Sequence, residues 1–485
     1  MKKRILSLLL AALMLASAVS CAADPAEETK AEAETPAAEA VETEPEETNR
    51  YLDNVPEDLT FGGSDFNVLV RQEREDTTLA FELIGETVND AITERTLMLE
   101  DRFGITIMPT ALVSDKGQWN TAIAGSAQAA DGAYDVVLPD YWWGIELGGY
   151  YADLNQIEHF DFSREYWCKG WNQNNEIYGK LFTAVGDWSL DLILQLEAIY
   201  FNQRMLTELQ LESPYDLVKE DKWVHDTFIK MAQAGHRDMD GDGKMNPKND
   251  VYGIMYNLHG GRGFLYAYGM KLGTKTDDGG WSLDYYNDRF VKMYDTVYAM
   301  HNDSRLVNYG ESSGQLFAGG STMFQVAVLD VTRGALRDME DDFGLVPYPK
   351  LDEAQADFIS FNLGTAYMAI IKSAKNPAMS AAVMEAFSAE NCKSVVPVLY
   401  EDALKDKYSR DPVAAEMLDI LKRTVHFDFA FVNDAALNAL CNVYFNAIND
   451  KKPLSSTYQS QKKLTERLLD KLMRSYQETD EEAAE

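Results

Sequence analysis

The sequence predicts an α/β protein built on a parallel sheet, and three observations carry that expectation. Short β-rich runs alternate with a segment of helical spacing at the start of the folded body, the pattern of parallel strands joined by crossover helices. That body is about 430 residues long in a chain of 46% apolar composition, enough for two or more cores. Amphipathic helices dominate its end.

The elements follow in order. "DFNVLVR" (Asp65–Arg71) alternates in hydropathy and reads as a strand. Val88, Ala91, Ile92, Leu99 and Phe103 repeat at helical spacing up to Gly104, a natural helix stop. "GITIMPT" (Gly104–Thr110) is a second strand, and "AYDVVLPD" (Ala133–Asp140) a third, bounded by Pro139. Gly179–Glu208 carries β-rich runs into a helix, and "VYGIMYN" (Val251–Asn257) reads as a further strand. Near the end, Leu464, Leu468, Leu472 and Tyr476 stand four apart on one helix face.

The first fifty residues are of another kind. Lys2, Lys3 and Arg4 precede an apolar run from Ile5 to Val19, too short to span a bilayer and read as a signal peptide over 1–20. It stops at "AVSC", which resembles the lipobox of bacterial lipoproteins, with Ala18 where Leu is commoner. The resemblance implies cleavage before Cys21 and a diacylglycerol on its sulfur. Ala22–Arg50 holds ten acidic residues against two basic ones and no aromatic, so it cannot offset its ordering entropy by burial. Residues 21–56 thus read as a lipidated cysteine on a disordered acidic linker.

A net charge of −35 excludes nucleic acid and docking on anionic lipid. Six scattered His argue against zinc. Cys168, Cys392 and Cys441 remain after lipidation, an odd count with no framework spacing, so no dense disulfide scaffold is expected.

Five segments in order carry a resemblance: "YFNQRMLTELQL", Trp223, "LFAGGSTMF", "FGLVPYP" and "MAIIKSAKNPAMSAAVMEAFS". Together they resemble the extracellular solute-binding proteins of ABC importers, the family that carries oligosaccharides, over nearly everything from residue 57 onward. The segment "LESPYDLVKEDKW" is longer than the family pattern before the Trp. The resemblance implies a two-lobed periplasmic-binding-protein-like (type II) fold, with a hinge between the lobes and the ligand in the cleft. It places the first crossing near Val185–Trp188 and the second near Asn362–Gly364. Lobe 1 would combine 57–187 with 363–400, lobe 2 would combine 188–362 with 401–478, and 479–485 would form an acidic tail. The expected function is capture of a carbohydrate and delivery to an ABC permease at the extracellular face of the cell membrane, by a lipid-anchored monomer that performs no reaction. A secreted polysaccharide-degrading enzyme and a peptide-capturing surface protein are the alternatives.

Candidate site residues divide into three groups. In "DMDGDGKMNPKND", Asp238, Asp240, Asp242, Lys244 (through its carbonyl), Asn246 and Asp250 follow the spacing of a calcium loop, with Gly243 at the sharp turn. The usual acid at position twelve is Asn249, with Asp250 one step late. No exiting helix or paired loop follows, so the ion is expected to be structural. In "PDYWWG", Tyr141, Trp142 and Trp143 directly follow a strand's carboxyl end, where ligands bind in open parallel sheets, and Asp140 is placed to accept hydroxyl hydrogen bonds. Trp188 and Trp281 are further candidate stacking platforms. In "HGGRGF" the glycines would let backbone approach a ligand, with Arg262 as a forked donor. The third group, "GESSG" (Gly310–Gly314), matches the G-x-S-x-G of hydrolases. The elbow needs a strand before it, a helix after it, and a His and an acid in sequence order; His426 would serve only by coincidence, so Ser312 or Ser313 reads as a cap of the helix carrying Leu316 and Phe317.

Overall fold

The computed structural model describes residues 51–141, 149–310, 314–404 and 412–481. The chain from 51 onward begins with strand β1 (Ser64–Arg71), helix α1 (Thr87–Phe103), strand β2 (Ile105–Leu112), helix α2 (Lys116–Ala129) and the short β3 (Val136–Val137). All three strands are parallel, in the order β2-β1-β3. Gly104 ends α1 at a φ of 57°, in the left-handed region glycine reaches without strain, while Val88, Ile92, Leu99 and Phe103 face inward. Asp115 caps α2 by accepting from the Gln118 N–H. β3 is shorter than the Ala133–Asp140 run because Asp135 spends its carboxylate on the Asn67 N–H and side chain, and Pro139 has no N–H to give. The sheet is extended by single bridges: Val137 to Ala369, Asp140 to Ala366, and Ala184 to Met368, all antiparallel.

The second sheet comprises β4 (Glu197–Asn202), β5 (Tyr252–Tyr256), β6 (Val307–Tyr309), β7 (Thr322–Val328) and β8 (Phe343–Val346), with helix α3 (Leu258–Ala267) directly after β5. The order is β8-β4-β7-β5-β6. β5, β6 and β7 run parallel, and β4 runs against both its neighbours. Glu197 therefore opens β4 at the edge where β7 ends at Val328. The remaining labelled elements are α4 (Pro377–Glu390), a π-helical turn over Asn391–Val395, α5 (Val396–Leu404) and α6 (Pro412–Arg423). Among the described residues no helix is long and apolar enough to cross a membrane.

Each sheet is one wall of a lobe, and chain crossings join them. Segments 187–197 and 360–366 run side by side: Leu363 donates to the Gln195 carbonyl at 2.8 Å, and Glu197 to that of Phe361 at 2.9 Å. The Asn362 amide donates to the Asp191 and Leu192 carbonyls. Asn391, in the π-helical turn, donates to the carbonyls of Asp187 and Trp188. Distant segments also meet away from the crossings. Gly170 lies so close to the segment 424–426 that a Cβ on it would sit 2.1 Å from the Val425 carbonyl oxygen, and Phe427 donates to the Gly170 carbonyl.

Candidate ligand-binding site

The carboxyl ends of β1 and β3 and the crossings bring a charged cluster together. Arg71, the last residue of β1, pairs with Asp140 at 2.7 Å. Its Nη1 stands 3.7 Å from Asp191 on the first crossing, and Arg74 reaches the other Asp191 oxygen at 3.3 Å. Burial pushes the Asp191 carboxyl up, and the two guanidiniums Arg74 and Arg71 oppose that shift. Pairing of this kind keeps buried charges in place, because either partner alone would be left desolvated and unpaired.

Tyr141 follows Asp140 and is buried. Its hydroxyl donates to the Leu363 carbonyl on the second crossing at 2.7 Å. Its ring lies 5.1 Å from Phe431 and 6.4 Å from both Trp171 and Phe427. Burial pushes the Tyr141 phenol well above its usual range; Asp140 adds to that shift and the Arg262 guanidinium opposes it.

On α3, the Asn257 side chain caps the N–H groups of His259 and Gly260. Arg262 donates to Asn442 through one arm and to His259 Nδ1 through the other. An imidazole nitrogen that accepts from a guanidinium must be unprotonated. In keeping with this, burial and the nearby Arg262 push the His259 ring down to about 4. Behind α3 lies a fully buried carboxylate that the sequence reading passed over. Glu197 takes the Tyr348 hydroxyl at 2.6 Å, and burial pushes its carboxyl up to about 7 against the pull of Tyr348 and Arg262. The signal was a lone acid opening an otherwise apolar run, "LEAIYF".

Several sequence-derived expectations are corrected by burial. Trp188 has no exposed surface and packs in a core with Leu138, Ala184 and Met368, so it offers no face to a ligand. Trp281 is 6% exposed and already stacked on Phe429, 4.4 Å between ring centres, with its indole N–H on the Glu176 carbonyl. The glycines of "HGGRGF" serve helix packing rather than a ligand: Cβ atoms there would strike Val326 and Tyr256, Phe445, or Tyr348. Asp140 and Arg262 are buried with their charges engaged. Trp142, Trp143, Ser312, Ser313 and Cys21 lie outside the described residues.

In the 238–250 loop, carboxylate oxygens of Asp238, Asp240 and Asp250 converge within 4.8 Å of one another. Asp250 is 2% exposed and accepts the N–H groups of Met239 and Asn246. Asp238 accepts from Gly241 and Gly243, whose φ angles of 71° and 76° wind the chain around the carboxylates. Within the same loop Asp242 accepts from the Lys244 N–H and Asn246 from the Lys248 N–H. Three hard oxygen ligands at that separation fit a calcium ion better than any softer metal.

No family model matches the sequence, and no curated protein resembles it. Solved structures do resemble the fold. The cyclic α-maltosyl-1,6-maltose binding protein from Arthrobacter globiformis matches with a TM-score of 0.58 at 15% identity, over 84% of this chain and 99% of that one. The sugar-binding protein MalE from Xanthomonas citri matches with 0.57 at 14% identity, over 85% and 99%. UgpB from Mycobacterium tuberculosis, solved in complex with glycerophosphocholine, matches with 0.52 at 16% identity, over 85% and 99%. Likeness at such identities is a likeness of fold, and the chain has the two-lobed α/β fold of these binding proteins.

Proposed function

We propose that this protein captures a carbohydrate between its lobes and delivers it to an ABC permease, performing no reaction itself. The observation that supports this reading is the pairing of the two crossings between the sheets, with Tyr141, at the carboxyl end of the first sheet, tied to the second crossing through the Leu363 carbonyl. Such a cleft changes its opening when a ligand binds the closed form more tightly than the open one. The similar folds belong to proteins described as binding cyclic maltosyl-maltose, sugar and glycerophosphocholine, which supports a small polar ligand. Trp142 and Trp143 adjoin Tyr141 in sequence and are the proposed stacking rings.

A thermal-shift screen against a glycan library tests this. A ligand at a hundred times its dissociation constant adds about 2.7 kcal/mol, so a true ligand raises the melting temperature visibly. If no glycan does so, the carbohydrate reading fails. Shortened products after incubation with the best glycan would replace it with the enzyme reading.

Two further parts belong to this proposal. A calcium ion held by Asp238, Asp240 and Asp250 would supply the positive charge that three converging carboxylates need. Cys21, as a diacylglyceryl cysteine, would give the two-chain attachment that stable anchoring requires. Cys21→Ala should then release the protein from cells of its native host. Retention after a high-salt wash would refute the anchor.

A further inference from the structure

Among the described residues eleven large apolar side chains are exposed, and six of them stand at the carboxyl edges of the two sheets. Phe81, Leu83 and Ile84, at 40%, 61% and 62% exposure, lie in the connection from β1 to α1, and Val113 directly follows β2. Leu258, the first residue of α3 after β5, and Tyr309, the last of β6, complete the set on the second sheet. Scattered singly, such residues need no explanation; gathered, they mark a surface for a ligand or partner. In open parallel sheets the carboxyl edge is where ligands bind. The connection from β1 to α1 also belongs to the site already described. Arg74, three residues past β1, reaches Asp191 on the first crossing at 3.3 Å, and Glu73 takes the N–H and hydroxyl of Ser114 after β2. The apolar stretch is pinned to α1: the Glu82 carbonyl accepts the side chains of Asn89 and Thr93, and Asp90 accepts the N–H groups of Ile84 and Gly85. Leu83 and Ile84 are thus presented by a fixed backbone, which lowers the ordering cost of binding. Between Arg74 and Arg95 the chain holds no basic residue, and Glu82, Glu86 and Asp90 flank the apolar side chains.

We propose that the ligand carries an uncharged apolar substituent, an aryl or alkyl group joined to its sugar, and that Phe81, Leu83 and Ile84 cover that group. The inference rests on the carbohydrate reading above and names the class of carbohydrate. A bare sugar has only small C–H faces, which aromatic rings suit. Branched aliphatic side chains such as Leu83 and Ile84 offer no such flat face, and they gain by removing apolar surface from water. The acidic flank selects the charge. An anionic substituent would be set against Glu82, Glu86 and Asp90, whereas a neutral one leaves these carboxylates in water. Val113 continues the surface from the end of β1 to the end of β2. Leu258 and Tyr309 give the second sheet's edge the same character, so the apolar surface is not confined to one sheet.

The test is calorimetric titration of the full chain with para-nitrophenyl glycosides of common mono- and disaccharides, each beside its free sugar, and with para-nitrophenol alone. At least one glycoside should bind about tenfold or more tightly than its free sugar, or 1.4 kcal/mol, while para-nitrophenol gives no heat of binding. The para-carboxyphenyl analogue of that glycoside should bind no better than the free sugar. Leu83→Ser with Ile84→Ser changes two exposed side chains and leaves the backbone partners in place, so the fold is retained. This double variant should reduce the aryl advantage to less than about threefold and keep the free-sugar affinity of the wild type. Free sugars that bind with no aryl advantage would overturn the inference and leave the carbohydrate reading standing. An aryl advantage that survives the double variant, or that the carboxyphenyl analogue shares, would overturn it as well. If neither sugars nor glycosides bind, both readings fall. A wild type that self-associates on size-exclusion chromatography, with a monomeric double variant and no aryl advantage, would give the surface to a second copy of the chain and overturn the inference.

Discussion

Glu197 shows how one residue sets a pH dependence. Its carboxyl stands near 7 in the fold, against about 4.5 in an unfolded chain, because burial disfavours the charge. Between those values the folded protein holds a proton that the unfolded chain has released. Its contribution is therefore complete below about pH 4.5 and lost as pH rises to about 7. Asp428, pushed up to about 6 by burial, adds to the same slope. Glu197→Gln keeps an acceptor for Tyr348, so denaturant unfolding across that window should lose a slope on the order of 3 kcal/mol. An unchanged slope would mean that Glu197 stays charged. Trp281→Ala should cost about 3–5 kcal/mol of stability and leave ligand affinity as it was. A large affinity loss in calorimetric titration would restore Trp281 to the site. Residue partners of this kind were not legible in the sequence. Arg71 and Asp140 are 69 residues apart, and Glu197 and Tyr348 are 151 apart. Hydropathy periodicity reports which face is buried, not which distant residue meets it there. Hence Trp188 and Trp281 read as platforms when each fills a core.

Elements were far more legible. β1, β2 and α1 lie where alternation, helical spacing and Gly104 placed them, because those signals are local. The π-helical turn at Asn391–Val395 was not; its Asn391 bonds carbonyls 204 and 203 residues away, a partnership no local signal reports. The 238–250 loop was read by spacing, and the carboxylates of Asp238, Asp240 and Asp250 converge there, because turns held by Asp238 and Asp250 wind the chain around them. Removing calcium should lower the melting temperature by several degrees while ligand affinity changes by less than about tenfold, or 1.4 kcal/mol. Asp240→Asn should make the protein indifferent to chelator. A chelator effect that persists in this variant would place the ion elsewhere.

For the whole molecule, the fold class was readable because it depends on the order of strands and helices, whereas the cross-lobe contacts depend on two distant segments arriving together. One of these, at Gly170 and Val425, leaves no side chain between the two backbones. Such a contact has nothing in it to compress, so a closing motion would be expected to turn about it as about a fulcrum. Points on the lobes then travel in proportion to their distance from it. A ligand group held far from Gly170 works on a long lever arm and a near one on a short arm, so equal contacts differ in how strongly they close the protein. Extended ligands would on that account close it more completely than short ones of equal contact quality. Gly170→Ala would drive a wedge into the fulcrum, since the added carbon must displace the Val425 carbonyl. X-ray scattering with and without ligand should show this variant held wider, and scattering identical to the wild type would place the pivot elsewhere.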